Sequence, residues 1–367
     1  MPKQKIGIIT YHYAMNYGAV LQSYALSTFL DSQDNIVEFI DYRSNRVNFQ
    51  DWKSLFFSKY SLLNPQYLLK ALNKRAKFKD FIDTELNLSK KRFFGENDLK
   101  KGNHSYDSVV CGSDEIWNLD SIGFDKLYFI NFLDNKAIRK ISYAASFGST
   151  TNISPSLQEE INSFLIDFNA ISVRDNNSLS LIKQCGFEAQ KVLDPTFLIS
   201  YEKITKKTQI KEEYILVYGS LSKSEAEYVR KFSEKNKLNI ISIGTHQSFL
   251  KPICTNELFD VCPREWLGFF SDSRFVVTKF FHGAIFSILF NKPFIVFNSM
   301  QKSVKIKDLL ETLDLKNRII EPNETFSVLN NDLHEIILAP PLSNKKQRSI
   351  LDENIKYSQD FLKKSLQ

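Results

Sequence analysis

The chain has 367 residues, of which 43% are hydrophobic and 25% charged, with a formal net charge of +6. That length is too great for one typical domain and fits two of about 170 residues each, in an ordinary soluble globular protein. No run approaches the roughly 18 apolar residues of a membrane-spanning helix, no signal-peptide pattern follows Met1, and the mild basic charge comes without a nucleic-acid-reading motif.

The first elements are a buried strand at Ile6–Tyr11, a polar loop, a helix from Gly18 to Leu30 and a strand at Ile36–Asp41. This is the opening βαβ of a doubly wound sheet. Residues 52–94 differ. They are basic and aromatic, with Trp52, Phe56, Tyr60, Lys74, Arg75, Lys77 and Lys79, and their apolar spacing is helical. They read as a helical insertion with a solvated basic face; a membrane-surface helix is the sharper alternative. Strands then follow at Ser108–Cys111, Lys140–Ala144 and Ala170–Val173, with helices at Ser156–Phe168 and Asn176–Gln184.

Asp194-Pro195 closes this half, and polar Lys203–Glu213 reads as a linker. A second α/β series begins with strand Tyr214–Tyr218, helix Ser222–Lys235, strand Asn239–Ile243 and helix Pro263–Phe270. It continues with strand Phe275–Thr278, helix Ala284–Phe290 and strand Pro293–Phe297, then helices Val304–Leu313 and Thr325–Leu338. A last helix spans about Asn344–Lys364. The expected domains are 1–200 with the insertion at 52–94, 214–343, and a C-terminal helix in 344–367 that packs back on the first domain.

In paired doubly wound domains, ligands bind at the C-terminal ends of the strands. After the first strand, Asn16 and Gly18 open a helix and offer backbone N–H groups; simple N-capping by Asn16 is the plainer reading. After residues 108–111 come Ser113, Asp114, Trp117 and Asn118, where Trp117 suits stacking on a sugar or burial in the core. Ser146 follows the next strand. Arg174 follows the one after, where a cationic clamp for phosphate or carboxylate would serve, or an ordinary salt bridge to Asp175.

Residues 275–297, FVVTKFFHGAIFSILFNKPFIVF, place Thr278, Lys279, His282 and Gly283 between a strand and a helix. A helix N-terminus there makes an anion site. Gly283 would allow close approach of a ligand, and His282 would carry a proton or donate a hydrogen bond. Of the other histidines, His246 is a weaker candidate, His12 is a candidate to line the cleft, and His104 and His334 read as surface residues. Four scattered cysteines without a CxxC pattern read as reduced thiols, with no metal site.

In order, IGIITYHYAMNYGAVLQSYAL, VVCGSDEIWN, SYAASFG, ISVRD, VLDPTFL and VVTKFFHGAIFSILFNKPFI resemble the polysaccharide pyruvyl transferase family over about residues 5–320. The resemblance implies an α/β fold of two Rossmann-like domains facing across a cleft, glycosyltransferase-B-like, the first on the acceptor side and the second on the donor side. It implies transfer of pyruvate from phosphoenolpyruvate onto two sugar hydroxyls as a cyclic ketal, with phosphate released and no cofactor. His282 with Gly283, and Arg174, are the residues it carries over; it also points to the Asn16–Gly18 loop and the Ser113–Asp114 turn. Many members have Arg two residues before the motif His, where this chain has Phe280, which leaves Lys279, Lys302 or Lys305 as phosphate cations.

On this reading Arg174 binds the donor, His282 binds phosphate or transfers a proton, and Asp114 activates the acceptor hydroxyl. The implied partners are phosphoenolpyruvate and a sugar acceptor of a cell-surface polysaccharide precursor. The basic insertion hints at a lipid-linked acceptor and peripheral contact with the inner face of the membrane from the cytoplasm; nucleic acid is not expected. A nucleotide-sugar glycosyltransferase of the same architecture is the main alternative, and a non-catalytic glycan-binding protein the second.

Overall fold

A computed structural model describes residues 3–47, 49, 65–102, 104–120, 124–245, 248–298, 303–321 and 338–367. Trp52, Phe56, Tyr60, His246, Lys302, His334 and most of the helix expected over 325–338 lie outside the described residues. The chain forms two compact units. The first draws on Met1–Asn64, Lys79–Ile199 and Glu353–Gln367, the second on Pro65–Phe78 and Ser200–Asp352.

The first unit starts with β1 (Lys5–Ile9), α1 (Tyr17–Asp31) and β2 (Ile36–Tyr42). After α2 (Pro65–Glu85) come β3 (Leu88–Phe93), α3 (Glu96–Lys100), β4 (Ser108–Cys111) and β5 (Arg139–Ala145). Then α4 (Pro155–Leu165), β6 (Ala170–Val173), α5 (Asn176–Gln184) and β7 (Gln190–Lys191) complete the series. The described strands pair in parallel in the order β3-β2-β1-β4-β5-β6-β7. β1 and β4 are short continuous apolar runs, as strands covered on both faces require, and they sit at the centre. Chain order reverses between them, which opens a crevice beyond their C-terminal ends.

Within residues 52–94, the helical reading holds over Pro65–Glu85, and β3 corrects it at Leu88–Phe93. The outer edge of β2 carries backbone groups that need partners. Residues 87–93 supply them: Phe39 N donates to Asn87 O at 2.7 Å and Arg43 N to Phe93 O at 2.9 Å. Lys90, Lys91 and Arg92 are exposed on this edge strand, where charge discourages further pairing. The basic face of α2 is partly occupied too. Lys74 Nζ donates to Gly244 O at 3.2 Å and Lys77 Nζ to Asp260 O at 2.7 Å, within the second unit. No described helix is long and apolar enough to cross a membrane.

The second unit contains β8 (Tyr214–Tyr218), α6 (Lys223–Asn236), β9 (Asn239–Ile243), β10 (Asn256–Leu258) and α7 (Pro263–Asp272). It continues with β11 (Phe275–Thr278), α8 (Phe281–Leu289), β12 (Phe294–Phe297), α9 (Ser303–Thr312) and β13 (Ile319–Ile320). Its described strands are parallel in the order β10-β9-β8-β11-β12-β13, so the crevice lies beyond β8 and β11.

The expected linker is built into this unit. Lys206 N donates to Arg264 O at 3.0 Å, and Thr208 N donates to Asp272 Oδ2 at 2.8 Å. A methyl group on Gly268 of α7 would overlap the Lys206 carbonyl oxygen. Gly268→Ala is therefore expected to cost ~3 kcal/mol, at the upper end of overpacking penalties, because backbone rather than a movable side chain is struck. Urea unfolding checks this; an unchanged midpoint would show that the linker backbone yields.

The last helix, α10 (Lys345–Ser365), enters the first unit at Glu353. There Leu193 N donates to Ser358 Oγ at 2.9 Å, and Gln359 Nε2 to Leu198 O at 3.3 Å. Arg139 Nε donates to Ser365 O at 3.2 Å, and Gln4 Nε2 to Leu366 O at 2.9 Å.

Candidate functional site

Beyond β4, β5 and β6 the chain assembles a charged cluster around Arg174. Its guanidinium is buried, with Nη1 donating to Asp194 Oδ2 at 2.9 Å and lying 3.5 Å from Ser113 Oγ. Ser113 Oγ donates to the same Asp194 oxygen at 3.1 Å. Asp194 Oδ1 accepts from both Thr196 N and Thr196 Oγ1. Burial alone would lower the pKa of Arg174, but Asp194, then Asp114 and Asp175, outweigh it and raise the pKa, so the guanidinium stays charged.

Of its two readings, the structure places Arg174 in a salt bridge, with Asp194 as the partner. A side chain 2% exposed and paired through Nη1 with a fully buried carboxylate ties strand ends together. Asp194 was the residue missed by sequence reasoning. Its signal was an Asp directly before Pro195 at the start of a 3-10 turn, a position where Asp caps.

Asp114 stands differently. Its φ of 87° lies in the left-handed region, which is costly for a residue with a β-carbon. The strain is held by a parallel bridge to Ala145, with Ser146 N donating to Asp114 O at 3.1 Å. Ala144, at φ 54°, takes up the register shift between β5 and β6 alongside. The Asp114 carboxylate accepts from Glu115 N at 2.8 Å, keeps 17% of its surface, and lies 3.9 Å from Arg174 Nη2.

The other residues singled out in this unit take partners inside it. Trp117 does not offer a face to sugar: it is 0% exposed and stacked on Phe129 at 4.7 Å. Ser146 is also fully buried, and its hydroxyl donates to Asp175 Oδ2 at 2.6 Å, while Asp175 caps α5 through Ser178 N. The Gly18 N–H is taken by its own cap, Asn16 Oδ1, at 2.9 Å, so the plainer reading of that loop holds. His12 is fully buried between Thr10 O and Asp41 Oδ1, each 3.1 Å away. Burial would raise the pKa of Asp41, but hydrogen bonds from His12, Arg43 and Arg92 hold it well below the carboxylate range. His104 is half-buried, not a surface residue; its Nε2 pairs with Leu99 O at 2.6 Å, and burial lowers its pKa.

In the second unit, α8 begins three residues earlier than its apolar run suggests. Phe280 is the N-cap and makes no side-chain capping bond, so His282 and Gly283 belong to the first turn. The first-turn N–H groups and the positive end of the helix dipole lie at this end of α8. Gly283 is explained by packing: a methyl group there would overlap Thr278 Oγ1, whose hydroxyl donates to Tyr218 O at 2.7 Å. His282 is half-buried, with its ring edge-on to Phe281 at 5.3 Å.

Of the candidate cations, Lys279 donates to both carboxylate oxygens of Glu225 at 2.9 Å. Glu225 is the third residue of the Ser222 capping box of α6, a pattern visible in the sequence, though its partner was not. Lys305 Nζ lies 5.6 Å from the centre of the Phe281 ring, beside the first turn of α8.

A family model described as polysaccharide pyruvyl transferase matches residues 16–299. No curated protein matches the chain. Among solved structures, the S. aureus MnaA–UDP complex aligns over 98% of this chain and 97% of its own, with 12% identity and a TM-score of 0.52. A UDP-N-acetylglucosamine 2-epimerase aligns over 97% and 96%, with 10% identity and a TM-score of 0.51. At such identity these likenesses speak to the fold, a two-domain Rossmann-like α/β architecture.

Proposed function

The chain belongs to the polysaccharide pyruvyl transferase family, and from that premise we propose that it moves pyruvate from phosphoenolpyruvate onto two hydroxyls of a sugar in a cell-surface polysaccharide precursor. Carbon three of the donor gains a proton, which leaves a cationic carbon two. One sugar hydroxyl adds there and gives up its proton to a base. The bond from carbon two to the phosphate oxygen breaks with its electron pair on the phosphate, and a second hydroxyl adds to carbon two and closes the ketal as its proton passes to the departing phosphate or a base. This needs an acid, a base and a seat for phosphate.

The observation that carries the reading is the first turn of α8. It brings the positive end of a helix dipole together with His282 and Lys305 within the matched region. We assign the phosphate to the α8 N–H groups and Lys305, and proton transfer near the leaving oxygen to His282. Asp114 is assigned to the acceptor hydroxyl: it is a strained, partly open carboxylate at a strand end. Arg174 serves as a positioning residue that holds Asp114 and Asp194.

The test is phosphate release from phosphoenolpyruvate by the purified protein, with and without galactoside and mannoside acceptors. Acceptor-dependent release, reduced in Lys305→Ala mainly through a higher donor KM, is the expected result. No release with any acceptor, together with thermal stabilisation by a nucleotide sugar, would replace this reading with glycosyl transfer.

A further inference from the structure

Beyond the C-terminal ends of β2 and β3 the first unit carries a cavity of ≈ 300 Å³ that the charged cluster at Arg174 does not use. This is the small end of ligand pockets. Its wall includes Tyr42, Asn45, Arg46, Phe94, Phe124 and Asp125. Tyr42 Oη donates to Asp125 Oδ2 at 2.8 Å, and Arg46 Nη1 donates to Phe124 O at 3.1 Å, so the polar wall is fixed in place. Phe94 is 49% exposed and Asn45 is exposed. A half-open phenyl ring beside an amide that both donates and accepts is a surface for a ligand with one apolar and one hydroxylated face.

Charge narrows the class. The lining basic residues are Arg46 and Lys126 and the acidic ones Asp125 and Glu96, with Lys126 and Glu96 paired at 2.8 Å. A balanced lining gives no preference for an anion, so phosphoenolpyruvate is a poor occupant. The pocket also connects with the strand-end chemistry. Tyr42 packs on Tyr128 at 5.5 Å, and Tyr128 on Tyr11 at 4.9 Å. Tyr11 lies near enough to Asp114 that, after burial, Asp114 is the next cause of its raised pKa.

We propose that this pocket holds a neutral hexopyranose residue of the acceptor, with the C–H face of the ring on Phe94 and its hydroxyls on Asn45, Arg46 and Asp125. The proposal rests on the transferase reading but is tested apart from it. Saturation-transfer NMR of the purified protein with methyl β-galactoside and methyl α-mannoside, without phosphoenolpyruvate, reads binding alone. A signal from one of them is expected in the wild type, weakened about tenfold or more in apparent affinity by Phe94→Ala and by Asn45→Ala. Both positions are exposed, so neither change should prevent folding.

In the phosphate-release assay the same variants should raise the acceptor KM by a similar factor and leave the donor KM alone. Glycoside binding that is lost in the variants, with no transfer in the wild type, upholds the pocket and removes the transfer reading. Transfer with unchanged acceptor KM in both variants overturns the pocket and keeps the transfer reading. Absence of glycoside binding to the wild type also overturns the pocket.

Discussion

Replacing Arg174 by Met is expected to lower the unfolding free energy by about 3–5 kcal/mol, the usual cost of stranding one half of a buried ion pair. The side chains of Arg174 and Asp194 are 2% and 0% exposed, so water cannot take over the role of either. Met fills much of the aliphatic volume but leaves Asp194 without the guanidinium, facing the hydroxyl and amide donors of Ser113 and Thr196. Adding Asp194→Asn removes the stranded charge and should recover part of the loss, because neighbouring changes in one network are not additive. Urea unfolding of the two single variants and the double variant measures the coupling. A loss below about 1 kcal/mol for Arg174→Met, the range of exposed pairs, would mean that the pair is not shielded.

Replacing His282 by Ala is expected to lower turnover by about 10²- to 10⁴-fold, the span of a positioned proton-transfer group. Stability should change much less than turnover, since the ring is half-buried. The form of the loss separates two roles. A fall in kcat at constant donor KM assigns His282 to proton transfer, and a rise in donor KM at constant kcat assigns it to phosphate binding. Near-normal values of both would remove His282 from the site.

Central strands were legible because burial on both faces demands unbroken apolar runs. β4, β8 and β11 have the boundaries expected of Ser108–Cys111, Tyr214–Tyr218 and Phe275–Thr278. Edge strands were not legible. β3 reads LSKKRF and β10 reads NEL, and each is a strand because the neighbouring strand has an open edge, not because of its own composition. The loops that gather at the strand ends followed from topology, but the partner each side chain takes did not. Arg174 meets Asp194 and Lys279 meets Glu225 across 20 and 54 residues of sequence. Nothing local distinguishes an Arg held in such a pair from one open to a ligand. Trp117 is a similar case, because a Trp beside Asp and Asn looks the same in sequence whether its ring faces solvent or stacks on Phe129.

The passage of α10 from one unit into the other bears on how the protein is made. Residues 353–367 dock on the ends of β5 and β7 and on the residues just before β1, closing the first unit with a stretch that is synthesised after the second unit. The second unit is therefore available to fold on the ribosome while the first still lacks one of its walls. A premature stop shortly before Glu353 would damage the half of the molecule farthest from it in sequence.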